Sequence, residues 1–263
     1  MTVLLLMLLA HGLADFVLQS DRTVQRKESR NWRGFLGHGL MVFITGFLLL
    51  IGYEWPKVLL YVGIMTIIHI MIDMAKIALG SRRPGNDFLW FLGDQLLHLA
   101  FIVFVWQYFT FQPSGALLKL GKWLLTPAAV ETFGRSMPEE GVKLHSILAC
   151  LIIYLYICWG GGFFVKKALA SLQDQALAAT SPSQKDRLQH TGFWIGALER
   201  FIIITLVLNH ALTAVAFIFT AKSIARFSEL NDKTFAEYYL TGTLLSTALG
   251  ITGGYFLLWL MSA

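Results

Sequence analysis

Charge is scarce in this sequence. Of its 263 residues only 14% are Asp, Glu, Lys or Arg, while 56% are hydrophobic. A soluble domain carries about a quarter charged residues, so this composition excludes an ordinary soluble enzyme. Cysteine is scarcer still. The two present, Cys150 and Cys158, fall in one apolar stretch and offer neither a disulfide framework nor a metal pair of usable spacing. Both are expected to be buried small apolar groups. Nucleophilic-hydrolase signatures are missing too: there is no nucleophile elbow and no Ser-His-Asp pattern. The three glycines of CWGGGFF (158–164) do not form a P-loop and suit close helix packing instead. The first apolar stretch lacks a basic n-region and a small-x-small cleavage site, and is expected to be a span rather than a cleavable signal.

What is present is long apolar runs, with a mean hydropathy of +0.62. Eight runs are long enough to cross a bilayer: about 2–19, 35–53, 57–79, 88–111, 142–165, 193–209, 211–228 and 234–260. The split at Asn209-His210 is the weakest boundary, since a broken or re-entrant helix there would change the count. An all-α polytopic bundle is therefore expected. The net charge of +5 is distributed between the runs and is no nucleic-acid stripe. RTVQRKESRNWR (22–33), SRRPGND (81–87), Lys166 and Lys167 with Lys185 and Arg187, and Lys222, Arg226 and Lys233 mark alternate connections. The positive-inside rule puts these in the cytoplasm and both termini outside.

Two modules are expected. Residues 1–112 read as a four-helix membrane module, 113–141 as an extracytoplasmic loop, and 142–263 as a second membrane module. Within the loop, ALLKLGKWLL (116–125) suits an interfacial amphipathic helix, and KKALASLQDQALAAT (166–180) suits a cytoplasmic surface helix ending at SPSQ. The first module is weakly repetitive. HGLADFVLQ (11–19) resembles HIMIDMAKI (69–77), and LGH (36–38) resembles LGD (92–94). Two like-oriented hairpins would then pack about a pseudo-twofold along the membrane normal.

The polar residues inside these runs point to chemistry, because each costs on the order of 2–3 kcal/mol at a bilayer centre. His11 and Asp15, His69 and Asp73, and Asp94 and His98 are each four apart, so each pair shares a helix face. His38 adds a fourth imidazole. Counted from the span ends, all seven lie roughly 6–16 Å from the cytoplasmic surface. Imidazole and carboxylate at one level suit one or two divalent transition metals: zinc, manganese or iron. Asp15, Asp73 and Asp94 are also the candidate catalytic bases, and Gln19, Lys76 and Gln95 the groups that orient the ligands. Hydrogen-bonded structural pairs or a proton relay are the competing readings.

In the second module Glu199, Arg200, Lys222, Arg226 and Glu237, with Tyr238, Thr243 and Ser246 nearby, lie towards the cytoplasmic side. Arg200, Lys222 and Arg226 are expected to bind anionic oxygen, with too few carboxylates nearby to neutralise them. Snorkelling from a helix end is the simpler account of Lys222 and Arg226.

HGLADFVLQ, HIMIDMAK and FLGDQLLH resemble the bacterial membrane family known as domain of unknown function 3307. IGALER, AKSIARF and EYYLTGTLLS resemble the second half of its longer members. The resemblance implies a multi-pass protein of the bacterial inner membrane and brings no established activity. The His/Asp pattern is more loosely similar to that of membrane-bound metal-dependent hydrolases. The leading expectation is metal-dependent hydrolysis of a membrane-embedded ester or phosphoester, from a lipid or lipid-linked substrate, at the cytoplasmic leaflet. The rival is an ion- or proton-coupled transporter using the same cluster. A scaffold role would leave the buried polar set unexplained.

Overall fold

The computed structural model describes residues 1–81, 86–114, 140–172 and 182–262. These are helical, with no strand among them beyond an isolated bridge between Tyr53 and Pro113. The segment 116–125, expected to be an interfacial helix, lies outside the described residues, as does 173–180 of the expected surface helix. The chain divides into two compact units, Met1–Pro84 with Trp90–Ile152 and Gly85–Leu89 with Ile153–Ala263.

In the first unit, α1 (Thr2–Gly12) runs into a π-helical turn at Leu13–Val17. A bend of 85° then leads into α2 (Asp21–Glu28). Thus 22–33, read from the sequence as a connecting loop, is largely a helix. Ser20 caps it by accepting from the Thr23 amide, and Asn31 caps α3 (Trp32–Leu50) by accepting from the Arg33 amide. Pro56 opens α4 (Trp55–Gly80) where a missing N–H costs nothing. α5 (Asp87–Trp106) starts with an acidic first turn. Met7, Tyr61, Val62, Met65 and Ile102 fill the apolar core.

Glycine sets how closely these helices approach. A Cβ on Gly39 would overlap the Ile70 side chain, and one on Gly34 would lie 2.8 Å from both Arg26 Cβ and the Lys27 amide nitrogen. Gly34 thus lets α2 lie backbone-close on α3, which brings Lys27 inward. Gly34→Ala is expected to lower stability by about 1–3 kcal/mol. Gly37, which has nothing within 4 Å of a built Cβ, should accept alanine without loss. Thermal unfolding of both variants in one detergent checks the contrast.

α6 (Glu140–Leu155), which belongs to the first unit as far as Ile152, passes through another π-helical turn, Tyr156–Gly160, into α7 (Gly161–Leu172) of the second. α8 (Pro182–Leu208), α9 (Ala214–Ala225) and α10 (Lys233–Ser262) follow. α8 and α10 pack through small residues: built Cβ atoms on Gly250 and Gly254 would come within 2.9 Å of Ile203 and 2.7 Å of Val207.

Among the described residues five helices are long and apolar enough to cross a membrane, or six if the bent α1–α2 pair is one span. The expected eight spans are not reproduced. The seventh fails on length, because the 12 residues of α9 rise only about 18 Å against roughly 30 Å of hydrocarbon. His210, in the left-handed region at φ 55°, breaks the chain ahead of it.

Candidate metal centre

Four helices of the first unit deliver the cluster. The π-helical turn carries Asp15, α3 carries His38, α4 carries His69 and Asp73, and α5 carries Asp94 and His98; His11 ends α1. Helical spacing does the local work, leaving Asp15 Oδ1 3.7 Å from His11 Nδ1 and Asp94 Oδ1 3.6 Å from His98 Nδ1. The π turn adds a residue to its loop, a feature that recurs at functional sites. All seven side chains are buried, none more than 7% exposed.

The tightest grouping is a triangle. His38 Nε2 and His69 Nε2 are 2.9 Å apart, and Asp15 Oδ1 lies 3.2 Å from the first and 3.4 Å from the second. Ligand atoms held at about 2.0–2.2 Å by one ion stand roughly 2.8–3.6 Å apart, in tetrahedral or octahedral geometry. All three edges fall in that range. A hydrogen bond between a protonated and a bare imidazole nitrogen explains the 2.9 Å edge alone. It does not explain why the carboxylate oxygen closes on both nitrogens. Asp73 Oδ2 is 3.9 Å from each of the two imidazole nitrogens and supplies a fourth donor.

The remaining ligands extend the centre. Asp73, Asp94 and His98 form a second group of three, joined to His38, His69 and Asp73 through the shared Asp73. The His69 and His98 rings stack with centroids 4.0 Å apart. Asp94 Oδ1 and His98 Nδ1 are buried with no hydrogen-bond partner among the described residues, as polar atoms aimed at a ligand would be. His11, His69 and His98 also border a cavity of about 10 Å³ closed by Met65, Phe101 and Ile102. That volume holds about one water.

Two lysines meet carboxylates of the cluster. Lys76 Nζ donates to Asp94 Oδ2 at 2.7 Å, and Gln95 Nε2 reaches Asp15 Oδ2 at 3.4 Å and Asp94 Oδ2 at 3.3 Å. Gln19 does not join them; its Nε2 has no hydrogen-bond partner among the described residues. Lys27 was missed by sequence reasoning, yet its Nζ donates to Asp73 Oδ2 at 2.7 Å and the residue is 7% exposed. Its signal was the capped, amphipathic stretch beginning at Ser20.

The cationic set of the second unit has other work. Arg200 is 2% exposed; its Nε donates to the Ile157 carbonyl at 2.8 Å, Nη2 to the Cys158 carbonyl at 2.6 Å and Nη1 to Ser246 Oγ at 2.9 Å. Those carbonyls lie in the π turn Tyr156–Gly160. Gly162 and Gly196 make room: a Cβ on either would lie 3.0 Å from the guanidinium. Lys222 pairs with Glu199 at 2.7 Å and Arg226 with Glu229 at 2.6 Å, while exposed Lys233 and Glu237 stand 3.9 Å apart. Lys222 and Arg226 thus have local acidic partners, where the sequence led us to expect too few carboxylates, and Arg200 holds backbone carbonyls.

The fold and site together define a multi-pass helical protein with a buried His/Asp centre among membrane-length helices. Residues 3–124 match the family model described as a protein of unknown function, DUF3307. That match takes in all seven cluster residues and Lys27, and leaves out Arg200 and its surroundings. No curated protein and no solved structure matches the chain.

Proposed function

We propose that the chain is a metal-dependent hydrolase of the bacterial inner membrane, acting on a membrane-embedded ester or phosphoester at the cytoplasmic leaflet. The triangle of Asp15, His38 and His69 carries the reading. These three, with Asp73, would hold a zinc, manganese or iron ion, and Asp73, Asp94 and His98 a second. When bound, such an ion lowers the pKa of a water and polarises the scissile group. The chain's own residues supply the rest. Gln95 orients Asp15 and Asp94, Lys27 and Lys76 hold Asp73 Oδ2 and Asp94 Oδ2, and the cavity beside His98 has room for a water. Asp94 Oδ1 is the acceptor available for a proton. Basic residues 22–33 put this end of the unit in the cytoplasm and the N-terminus outside.

The test is release of product from lipid esters and phosphoesters in mixed micelles, with and without divalent metal. Turnover should need the metal and vanish with His69→Ala. A second reading, an ion- or proton-coupled carrier, draws on the 85° break beside Asp15, since discontinuous helices build carrier sites. Protein that binds metal, cleaves nothing and moves the ion into sealed vesicles would put the carrier in place of the hydrolase.

Lys27 gives a separate prediction. Its ammonium and a metal ion satisfy the same carboxylate, Asp73. Lys27→Met should destabilise the metal-free protein by about 2–3 kcal/mol, the cost of leaving a buried charge without its hydrogen bond. The metal-loaded protein should lose much less. The rise in Tm on adding metal should therefore be larger in the variant than in the wild type.

A further inference from the structure

A groove of about 370 Å³ runs along the α3–α4 pair. Trp32, Phe35 and Leu36 form one wall, and Ile70, Met74 and Ile77 the other. On α4 the wall residues recur at i, i+4 and i+7, one position after His69 and Asp73. The same helix thus lines the groove on one face and the centre on the next. The groove follows α4 for about 12 Å, from Ile70 to Ala78. One end carries an interfacial signal: Trp32 is 63% exposed at the first residue of a membrane-length helix, where such rings mark the headgroup level.

The one charged residue lining this groove is Arg30. Its backbone is in the left-handed region at φ 56°, an uncommon and costly state for a residue with a side chain. That turn is held by the Arg30 amide donating to the Lys27 carbonyl and the Asn31 amide to the Arg26 carbonyl. It aims the guanidinium at the end of α4, where Nη2 donates to Ser81 Oγ at 2.7 Å. Among the described residues Arg30 has this neutral partner and no carboxylate within 4 Å, so its charge is uncompensated. Arg33 adds a second guanidinium, 5.9 Å above the Trp32 ring. An apolar channel one acyl chain wide, headed by a fixed guanidinium at headgroup depth, matches a lipid with an anionic phosphate headgroup.

We propose that this groove is a binding site for an anionic phospholipid, with its phosphate on Arg30 and one acyl chain between Leu36 and Met74. That the lipid there is also the substrate rests on the hydrolase reading; that it binds does not.

Full-length protein in nanodiscs of phosphatidylcholine with a minority of phosphatidylglycerol tests the site. Lipids retained after detergent extraction are counted by native mass spectrometry, with metal content measured on the same samples. Wild-type protein should retain phosphatidylglycerol over phosphatidylcholine. Arg30→Gln and Arg30→Gly should each reduce that preference about tenfold, the worth of one charge-assisted contact. The glycine variant matters because it suits the left-handed backbone, so its loss cannot be laid to misfolding. Arg30→Lys should restore part of the preference, and Met74→Trp, which fills the groove, should remove the retained lipid of either kind. Metal content should be unchanged throughout. Equal retention of both lipids by the wild type, or full phosphatidylglycerol preference in Arg30→Gly, would overturn the site. Loss of metal-dependent turnover with lipid retention intact counts against the hydrolase reading alone.

Discussion

Alanine at His69 should leave less than about a tenth of the transition metal that the proposed centre would bind in the wild type, while the protein should still elute as a folded particle. That outcome follows from where the ring sits. His69 Nε2 is 2.9 Å from His38 Nε2, 3.4 Å from Asp15 Oδ1 and 3.9 Å from Asp73 Oδ2. It belongs to two of the three ligand groups. Removing a partner that merely orients a ligand costs about 10–100-fold in affinity, so removing the shared ligand itself should cost more. Asp73→Ala should do similar damage for another reason: it strips the carboxylate common to the two groups and leaves Lys27 buried without its acceptor. The measurement is elemental analysis of protein purified with zinc, manganese and iron supplied. Wild-type protein that emerges metal-free from mild purification, or His69→Ala protein that keeps its metal, would move the cluster to a proton-relay role.

Arg200→Met should be the most damaging single change in the second unit. It removes three hydrogen bonds at once, two of them to carbonyls of the π-helical turn. In a low-dielectric interior those carbonyls find no water, and the expected loss is about 3–5 kcal/mol. Arg200→Lys should recover little, since one ammonium on a flexible stem cannot reproduce a planar fork reaching three acceptors. Cys158→Ala is the control, because the carbonyl it contributes is main chain. Thermal unfolding in detergent checks all three. An Arg200→Met protein as stable as the wild type would mean that the π turn holds itself.

The three His/Asp pairs could be read from the sequence because a helix repeats every 3.6 residues, so residues four apart must share a face wherever the helix goes. Their expected common depth followed from loop charge and the span ends, and the structure brings the seven side chains together. Lys27 was illegible for the converse reason. It lies in a basic stretch that composition assigns to a loop, and only the Ser20 cap, with Gly34 across from it, shows that the stretch is a helix held against α3. Arg200 misled because an arginine inside an apolar run invites a functional reading. Its partners include backbone carbonyls of a π turn, and no residue pattern announces such a turn. The break ahead of α9 is similar: His210 takes a left-handed backbone with neither glycine nor proline beside it, so the length of α9 could not be read from its apolar character.

The sharp turn after Val17 has a kinetic consequence. The cation that caps Asp73 comes from α2, an eight-residue helix lying across the end of the unit rather than along it. If the centre holds an ion as proposed, that ion would leave or enter by that side past one short helix and one lysine. The bilayer-spanning helices, locked by contacts such as Gly39 against Ile70, can stay where they are. Exchange at the centre would then be governed by local opening of α2, a low-energy fluctuation independent of the stability of the bundle. A chain so built can be rigid through the membrane and still load its centre quickly from one side.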